Sequence, residues 1–332
     1  MSKNAVVLGT GMYVPERVIT NYDLEKIMNT SHDWIMQRTG ISERRWADDT
    51  QGPSDLGVAA SKNALSAAEV RNDEIDLILF ATLSPDHSFP GSGVLLGHQL
   101  NMPGIPAMDI RCQCSGFIYA MSVAKSLIIS GQYQKILIVG AEVHSPILNW
   151  TTEGRDMAVL FGDGAGAIVM GASQEPNRGI QSCHLHADGQ FASKLWLERP
   201  GSKRQKWIDA NDIEEGSIFP TMDGRYVFKH AVQNLVQVVN EAFASNNLQP
   251  DDIDTFIFHQ ANQRINEKVA DLLGVEKNKI ASNIEKYGNC SAASIPMLLD
   301  ELVRDGRIHS GDTLCLAAFG SGFTWGSCII RW

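Results

Sequence analysis

Apolar runs and helix-like segments alternate along the first half of this chain. Residues 5–9 form an apolar run that predicts a strand ending in the glycine turn 9–11. Apolar positions recur with helical spacing over residues 55–70, and the run at 73–82 indicates a buried strand behind a short acidic turn. A further glycine turn leads into the strand predicted at 161–171. Strands that alternate with helices in this way are typical of a layered α/β unit.

A buried helix is predicted to begin at Ser115. Its apolar residues recur at spacings of three and four, at Phe117, Ile118, Met121, Val123, Ala124 and Leu127. Cys114 therefore lies at the first turn of this helix. The helix dipole and the free backbone N–H groups there favour negative charge, so we expect a stabilised thiolate and a place for an oxyanion. Taken alone, the stretch is equally compatible with a buried structural cysteine.

The second half of the chain repeats the first, 178 residues later. Three elements repeat in one register, pairing 73–80 with 251–258, 135–142 with 313–320, and Cys114 with Ala292 in a helix-like run at 291–302. A helix with one apolar face precedes each strand of the first pair, at 55–70 and at 229–243. We therefore predict an internal duplication with halves 1–172 and 173–332, and a site between them.

The stretch between the two repeats lacks a clear period. Residues 172–218 are predicted to be irregular and to form a loop excursion on a hairpin, with the excursion itself at about 190–218. It contains the polar run 198–206 and the residues Trp196 and Trp207.

Length and charge limit the possible functions. The chain has 332 residues, of which 44% are hydrophobic, which suffices for two core-sized units. Its formal net charge of −10 and pI near 5.4 argue against a nucleic-acid partner. The first residues lack the apolar run of a signal peptide, and no segment is long enough to span a bilayer. We therefore expect a cytoplasmic protein without a membrane partner.

The cysteines show no metal-ligand spacing. They stand mostly inside apolar runs, at positions 112, 114, 183, 290, 315 and 328. Cys112 and Cys114 are too close together for a zinc knuckle, and no second pair lies nearby. We therefore expect neither a metal site nor disulfide bonds.

Three residues of the second half stand at junctions between predicted elements. His259 directly follows the strand at 255–258, Asn289 precedes a helix of small residues, and Gly320 lies in a glycine turn after a buried strand. Taken singly, they read as a structural histidine, a helix cap and a plain turn. Because the duplication would bring them to one centre with Cys114, we predict a shared site that includes an oxyanion-hole donor at Gly320.

Cysteine, histidine and asparagine follow in the same order in papain-like proteases. That family has a different sequence around its cysteine and usually carries secretory disulfides. The sequence around Cys114 does not match that family's pattern, no disulfides are expected here, and the duplication is foreign to that fold. We therefore set this alternative aside.

Six motifs resemble those of the thiolase-like condensing enzymes, and above all those of the β-ketoacyl-ACP synthase III family. They are D-W-I-x-x-R-T-G-I at 33–41, C-S-G-F at 114–117, F-G-D-G-A-G-A at 161–167, H-Q-A-N-x-R at 259–264, G-N-C-S-A-A-S at 288–294 and A-F-G-S-G-F-T-W-G-S at 318–327. The match covers nearly the whole chain. It implies a thiolase-like fold, with two duplicated halves that form a five-layer α-β-α-β-α core, usually in a homodimer.

The resemblance also implies catalytic roles. Cys114 matches the nucleophile that takes an acyl group from acyl-CoA, and the amides of Cys114 and Gly320 match the oxyanion hole. His259 and Asn289 match the donors to a malonyl thioester that loses CO2 and attacks the acyl-cysteine as an enolate. The implied function is decarboxylative Claisen condensation with malonyl-ACP, which gives a 3-oxoacyl thioester and initiates fatty acid synthesis. No cofactor or metal is implied, because acyl-CoA and the malonyl thioester are substrates.

Further positions match the family's CoA site. Trp34 and Arg155 match residues that stack on adenine, Arg38 matches a phosphate contact, and Asn262 matches a contact to the pantetheine arm. A planar arginine fork suits phosphate and an indole face suits a base. A surface tryptophan and salt-bridged arginines are the alternatives for these residues taken singly.

Two partner surfaces are implied by the same resemblance. Arg264 matches a residue that docks the acyl carrier protein, and with Lys268 it forms a basic spot suited to an acidic carrier. Phe89 matches a residue that reaches across the homodimer towards the partner's acyl pocket.

Other features depart from the starter enzymes of the family. Arg111, Cys112 and Gln113 stand where those enzymes often have small residues. With the excursion, which looks longer than in compact starter enzymes, these three residues suggest a medium-chain or unusual acyl donor. Ser321 replaces a glycine in the turn, which is a mild change. The alternative function is a related condensing enzyme or acyltransferase of secondary metabolism that uses malonyl-CoA or another acceptor. A non-catalytic homologue is disfavoured because Cys114, His259 and Asn289 are all present. A biosynthetic thiolase is disfavoured because that family uses a second active cysteine in place of the Asn289 arrangement.

Overall fold

The computed structural model describes residues 4–175, 177–203 and 206–332; residues 204 and 205 of the predicted excursion lie outside the described residues. The strands are β1 Asn4–Tyr13, β2 Arg17–Thr20, β3 Glu43–Trp46, β4 Leu77–Ala81, β5 Ala107–Ile110, β6 Lys135–Glu142, β7 Gly164–Ser173, β8 Gly179–Ala187, β9 Leu195–Trp196, β10 Thr221–Met222, β11 Thr255–Phe258, β12 Thr313–Gly320 and β13 Thr324–Arg331. The helices are α1 Asn21–Leu24, α2 His32–Thr39, α3 Pro53–Ala68, α4 Ser92–Gln99, α5 Gly116–Ile129, α6 Arg155–Ala158, α7 Ala210–Glu214, α8 Gly224–Asn246, α9 Gln263–Leu273, α10 Ile284–Tyr287 and α11 Ser294–Arg304.

Two sheets organise the chain. The first has five strands in the order β1-β7-β6-β4-β5, and the second has four in the order β11-β12-β13-β8. The pairs β4–β6 and β11–β12 are parallel, as expected for strands joined by helical crossovers. The strands outside these two sheets pair as β2–β3 and β9–β10, and each pair forms a separate two-stranded sheet.

The apolar residues of the strands divide between three core regions. Leu77 and Leu79 on β4 pack against α5 and α11 between the two sheets, whereas Ile78 and Phe80 pack on the other face against α3 and α4. The second sheet is covered on its outer face by α8 and α9. Alternate side chains of one buried strand thus enter different layers, which explains the unbroken apolar run in the sequence.

The repeat seen in the sequence has the same topology in both halves. β4 and β11, and likewise β6 and β12, occupy equivalent places beside each other in their sheets. A short 3-10 turn precedes each of the two central helices, at Gln113–Ser115 before α5 and at Ser291–Ala293 before α11. Gln113 and Ser291, the equivalent residues, both have φ of 44°. The boundary between residues 172 and 173 stays a prediction.

The glycine turn expected at residues 9–11 is absent. β1 continues through both glycines to Tyr13 and pairs with β7, with only a bulge between Val7 and Gly9. A Cβ on Gly9 would lie 2.4 Å from the Ala68 backbone nitrogen, and one on Gly11 would lie 2.3 Å from that of Ala64. The glycines therefore let helix α3 lie directly on the strand, and the prediction of a turn was wrong.

The stretch 172–218 is more regular than expected. Residues 179–187 form β8, the edge strand of the second sheet. The excursion follows it, and β9 and β10 pair at its two ends. Within it, the buried Arg199 guanidinium contacts the Asp212 carboxylate at 3.1 Å and also donates to the backbone carbonyls of Gly201 and Lys206. These contacts of Arg199 stabilise the excursion, which contributes few residues to the hydrophobic core.

In the described parts of the chain, no helix is long and apolar enough to cross a bilayer.

Candidate active site

Cys114 lies at the floor of a cavity of about 620 Å³. It is the middle residue of the 3-10 turn that leads from β5 into α5, so the helix begins two residues after it. Its side chain is buried, with 7% of the residue exposed. His259 and Asn289 line the same cavity, which places the three predicted catalytic residues in one site.

The Cys114 sulfur is held as a thiol in this structure. Burial raises its pKa to about 12, and the nearby Glu142 carboxylate adds to the shift. The Ser291 hydroxyl, 3.4 Å from the sulfur, and the backbone N–H groups of Cys114 and Ser321 oppose the shift without cancelling it. The expectation of a stabilised thiolate was wrong for the ligand-free site, because removal of water outweighs the helix N-terminus.

His259 presents one ring nitrogen to the cavity. The residue follows β11, and its backbone N–H donates to the Ala317 carbonyl at 2.8 Å. Its Nδ1 lies 2.7 Å from the Ser294 hydroxyl, whereas its buried Nε2 has no hydrogen-bond partner among the residues that the structure describes. Burial lowers its pKa to about 3, with a smaller contribution from His144. The imidazole is therefore neutral at physiological pH.

The Ser294 hydroxyl is the hydrogen-bond partner of Nδ1 of His259. Its hydroxyl oxygen accepts a hydrogen bond from the Gln260 backbone N–H at 3.3 Å. A hydroxyl oxygen has two lone pairs, so this bond still allows the hydroxyl either to donate to Nδ1 or to accept from it. In the tautomer in which the hydroxyl donates to Nδ1, the imidazole proton lies on Nε2 and makes this nitrogen a donor towards the cavity.

Asn289 is held by the chain segment that precedes β7 and by the 3-10 turn that follows it in the sequence. Its backbone N–H donates to the Leu160 carbonyl at 2.8 Å, and its carbonyl accepts from Gly162. The side-chain oxygen accepts from the Ser291 backbone N–H at 2.8 Å. Because the oxygen is engaged, the Nδ2 amide is the group that can donate to a ligand.

Gly320 ends β12 beside the nucleophile. A Cβ at this position would lie 2.9 Å from the Cys114 backbone nitrogen and 3.2 Å from its Cβ. Only glycine therefore fits where the end of this strand approaches the amides near the thiol. The next residue, Ser321, donates its hydroxyl to the Leu195 carbonyl, so the turn also holds the excursion over the cavity.

The predicted CoA residues stand at the cavity mouth. Trp34, Arg38 and Asn262 line it, while the Arg38 and Arg155 guanidiniums lie 4.6 and 4.9 Å from the Trp34 ring centroid. Asn262 also has a structural part: it caps α9 by accepting from the Arg264 backbone N–H and donates to the Arg38 carbonyl.

The other predicted contact residues lie outside the cavity interior. Arg264 and Lys268 are exposed on one face of α9, and Arg264 also lines the cavity mouth. Phe89 is 86% exposed and does not line the cavity. Sequence reasoning missed Arg225, a third arginine at the mouth, which stands in the first turn of α8. Its only sequence signal was a position at the end of the excursion.

No group of three histidine, cysteine, aspartate or glutamate side chains within the described residues is arranged to hold a metal ion.

Known proteins resemble the chain over its whole length. Family models described as 3-oxoacyl-[acyl-carrier-protein] synthase III and as its C-terminal part match residues 108–189 and 243–332. A β-ketoacyl-[acyl-carrier-protein] synthase III of Rhodospirillum centenum is 44% identical over 335 residues, covering 100% of both chains.

Solved structures confirm the predicted thiolase-like α/β fold. The 3-oxoacyl-[acyl-carrier-protein] synthase III of Aquifex aeolicus VF5 is 39% identical, with a TM-score of 0.90, and the match covers 99% of this chain and 100% of that one. The priming β-ketosynthase of the R1128 polyketide pathway is 32% identical, also with a TM-score of 0.90, over 99% of this chain and 96% of that one.

Proposed function

Since this chain belongs to the β-ketoacyl-ACP synthase III family, we propose that it joins an acyl group from acyl-CoA to malonyl-ACP and so initiates fatty acid synthesis. The reaction is a decarboxylative Claisen condensation that passes through an acyl-Cys114 thioester. The observation that carries the proposal is one cavity holding a buried thiol and a neutral histidine whose Nε2 has no protein partner. Asn289 supplies a second neutral donor there.

In the first half-reaction, the Cys114 sulfur attacks the thioester carbonyl of acyl-CoA. A new carbon–sulfur bond forms, the bond to CoA breaks, and the thiol proton leaves with the CoA sulfur. The backbone N–H group of Cys114 holds the carbonyl oxygen while it carries negative charge, together with an N–H group from the segment Gly320–Ser321. Of these two residues, Ser321 is the one whose backbone N–H reaches the Cys114 sulfur. The high pKa of the free thiol means that deprotonation accompanies substrate binding rather than preceding it.

In the second half-reaction, His259 and Asn289 act together on the malonyl thioester. Nε2–H and Nδ2–H donate to its carbonyl oxygen as CO2 leaves, so the negative charge is stabilised as an enolate. A neutral imidazole stabilises the enolate without protonating its carbon, which fits the lowered pKa of His259. The carbon then attacks the acyl-Cys114 carbonyl, and the thiolate leaves. Loss of one such donor typically slows a reaction about 100- to 1,000-fold.

The mouth of the cavity suits the nucleotide end of CoA. The adenine stacks on Trp34 and Arg155, Arg38 binds a phosphate, and Asn262 contacts the pantetheine arm. In the ligand-free structure a guanidinium covers at least one face of the Trp34 ring. Binding of the base therefore requires that an arginine move aside or close over it.

The acyl carrier protein docks beside this mouth. Arg264 and Lys268 offer positive charge on a chain whose formal net charge is −10, and Arg225 adds to it. A negatively charged carrier is attracted to such a patch and guided to the cavity. The exposed Phe89 fits the proposal of a homodimer in which this side chain is covered by the partner subunit.

The second candidate is a condensing enzyme of secondary metabolism with an unusual acyl donor or acceptor. Two observations favour it: the Arg111-Cys112-Gln113 sequence before the nucleophile, and the similarity to a priming β-ketosynthase of a polyketide pathway. The reaction steps and catalytic residues are the same in both candidates. Only the donor, the acceptor and the pathway differ.

Intact-protein mass after mixing with acyl-CoAs of increasing chain length tests the proposal. We expect a mass increase of one acyl group on the wild type and on Cys112→Ser, and none on Cys114→Ala. The acyl-CoA that labels fastest identifies the donor class, and malonyl-ACP against malonyl-CoA identifies the acceptor. Absence of any adduct with acyl-CoA or acyl-ACP would contradict the condensing mechanism.

A further inference from the structure

Two thiols outside the active site lie next to each other on neighbouring strands of the second sheet. Cys183 on the edge strand β8 stands directly opposite Cys328 on β13, and their sulfur atoms are 3.1 Å apart. All six cysteines lie within the described residues and are free thiols. Neither member of this pair lines the catalytic cavity or contributes to the proposed chemistry.

The strand register suits a covalent link between them. Directly opposed residues of antiparallel strands have Cα atoms about 4.5–5.5 Å apart and side chains on the same face, while disulfides span about 4.4–6.8 Å. The two sulfurs already touch, so bond formation needs side-chain rotation and little backbone movement. Cys183 is half-buried on the edge strand, whereas Cys328 is fully buried on the neighbouring strand.

Cys183 also differs chemically from every other cysteine of the chain. Its pKa lies below the ordinary value because its sulfur shares a hydrogen bond with the Cys328 thiol, with further support from Lys125 and Ser122. Burial raises the pKa of the other five thiols, which are Cys112, Cys114, Cys290, Cys315 and Cys328. The thiolate is the reactive form of cysteine, so oxidants meet Cys183 first.

We propose that Cys183 and Cys328 form a redox-modification site, which a peroxide converts reversibly into an intramolecular disulfide. The Cys183 thiolate attacks one peroxide oxygen, the oxygen–oxygen bond breaks, and a sulfenic acid and hydroxide result. The Cys328 sulfur then attacks the Cys183 sulfur and displaces its hydroxyl group, which takes up the Cys328 proton as water. Two thiols are oxidised, and one peroxide is reduced to water.

The link joins two strands that lead into the active site. The C-terminal end of β8 enters the excursion whose Leu195 lines the cavity, and β13 begins just after the turn that follows Gly320. Asp188 and Phe323 extend the pairing of these strands by two backbone hydrogen bonds of 2.8 Å. Oxidation therefore fastens the base of the excursion and raises the stability of the folded chain, since the link closes a long loop.

The test treats the reduced full-length protein with hydrogen peroxide, blocks remaining thiols by alkylation, and maps peptides without reductant. We expect the intact mass to fall by two hydrogen atoms and one cross-linked peptide to join positions 183 and 328. Dithiothreitol should remove the link, and the oxidised protein should melt at a higher temperature than the reduced one. The wild-type map decides the proposal even where a variant fails to fold.

Variants separate the two thiols. In Cys328→Ala, Cys183 should stop at the sulfenic acid, which dimedone traps, and in Cys183→Ser position 328 should stay reduced. Cys112→Ser, at another half-buried cysteine, should form the link as the wild type does. Earlier oxidation of Cys112 or Cys114, a link between two chains, or absence of the link at full peroxide consumption would overturn the proposal. None of these results depends on the proposed enzymatic function.

Discussion

Replacement of Ser294 by alanine tests how the second half prepares His259 for decarboxylation. Ser294 touches neither the cavity nor the thiol; it contacts Nδ1 of His259 at 2.7 Å. The proposed mechanism requires the tautomer in which this hydroxyl donates to Nδ1 and the imidazole proton lies on Nε2, where the enolate oxygen needs a donor. In Ser294→Ala the hydroxyl is lost, and Nδ1 is left buried without a partner. Ser294 thus acts as a positioning residue.

The size of the effect follows from this lost bond. A buried polar atom without a partner costs about 1–3 kcal/mol, and each 1.4 kcal/mol corresponds to about tenfold in rate. We therefore expect the decarboxylation and condensation rate to fall about 5- to 100-fold. Acylation of Cys114 should change little, because the acyl-CoA carbonyl is held by backbone amides rather than by His259.

Single-turnover assays separate the two half-reactions. Acylation is followed by intact mass after mixing with acyl-CoA, and decarboxylation by CO2 release from malonyl thioester on the pre-acylated enzyme. Ser291→Ala is the matched control, because its hydroxyl contacts the Cys114 sulfur at 3.4 Å instead of the histidine. It should affect acylation more than decarboxylation. Equal loss of both steps in Ser294→Ala, or no loss at all, would refute the tautomer argument.

Two further predictions concern stability. Burial lowers the pKa of His259 from 6.5 to about 3, so below pH 6.5 the unfolded chain takes up a proton that the folded chain excludes. The free energy of unfolding should therefore fall by up to about 1.4 kcal/mol for each pH unit below 6.5. Denaturant titrations should show a shallower fall for His259→Gln than for the wild type. Gly11→Ala places a Cβ 2.3 Å from the α3 backbone and should lower the free energy of unfolding by about 1–3 kcal/mol or more. Gly189→Ala is the control, because no described atom lies within 4 Å of its Cβ, and its free energy of unfolding should stay within about 0.5 kcal/mol of the wild type. Similar values for both glycine variants would contradict the packing argument.

Strands with unbroken apolar runs and clear polar ends were predicted best. Residues 135–142 and 313–320 form β6 and β12 with the predicted bounds. Both are central in their sheets and buried on both faces, so their sequences carry an unbroken apolar signal. β8 was missed, because polar residues alternate along G-I-Q-S-C-H-L-H-A at the edge of the second sheet, where one face is only partly covered.

The glycines of β1 show why local signals can mislead. Gly9 and Gly11 satisfy the usual pattern of a turn, yet their conformations are those of a strand. What requires glycine there is the close approach of α3, a helix that begins some forty residues later. A distance between segments far apart in the chain leaves no trace in the local pattern.

The residues of the candidate site likewise divide into those that the sequence predicted and those that it did not. Cys114, His259 and Asn289 stand at junctions of elements, where a duplicated frame makes their meeting predictable. Ser294 and Arg225 act through contacts between elements: one hydroxyl reaches the histidine from α11, and one guanidinium reaches the cavity mouth from α8. Their residue types are common in helix turns, so only the three-dimensional arrangement distinguishes them.

The duplicated frame also explains why the chain has one nucleophile rather than two. Glu142 and Gly320 are equivalent residues at the ends of β6 and β12, and Ala292 is the equivalent of Cys114. The buried Glu142 carboxylate accepts from the Ala292 backbone N–H at 3.3 Å and from the Ser84 hydroxyl at 2.6 Å. A side chain of the chain itself thus occupies the amide equivalent to that of Cys114. At Gly320 no side chain exists, so no carboxylate from this position reaches the Cys114 amide, and the asymmetry of the two halves lies in this single pair of residues as much as in the cysteine.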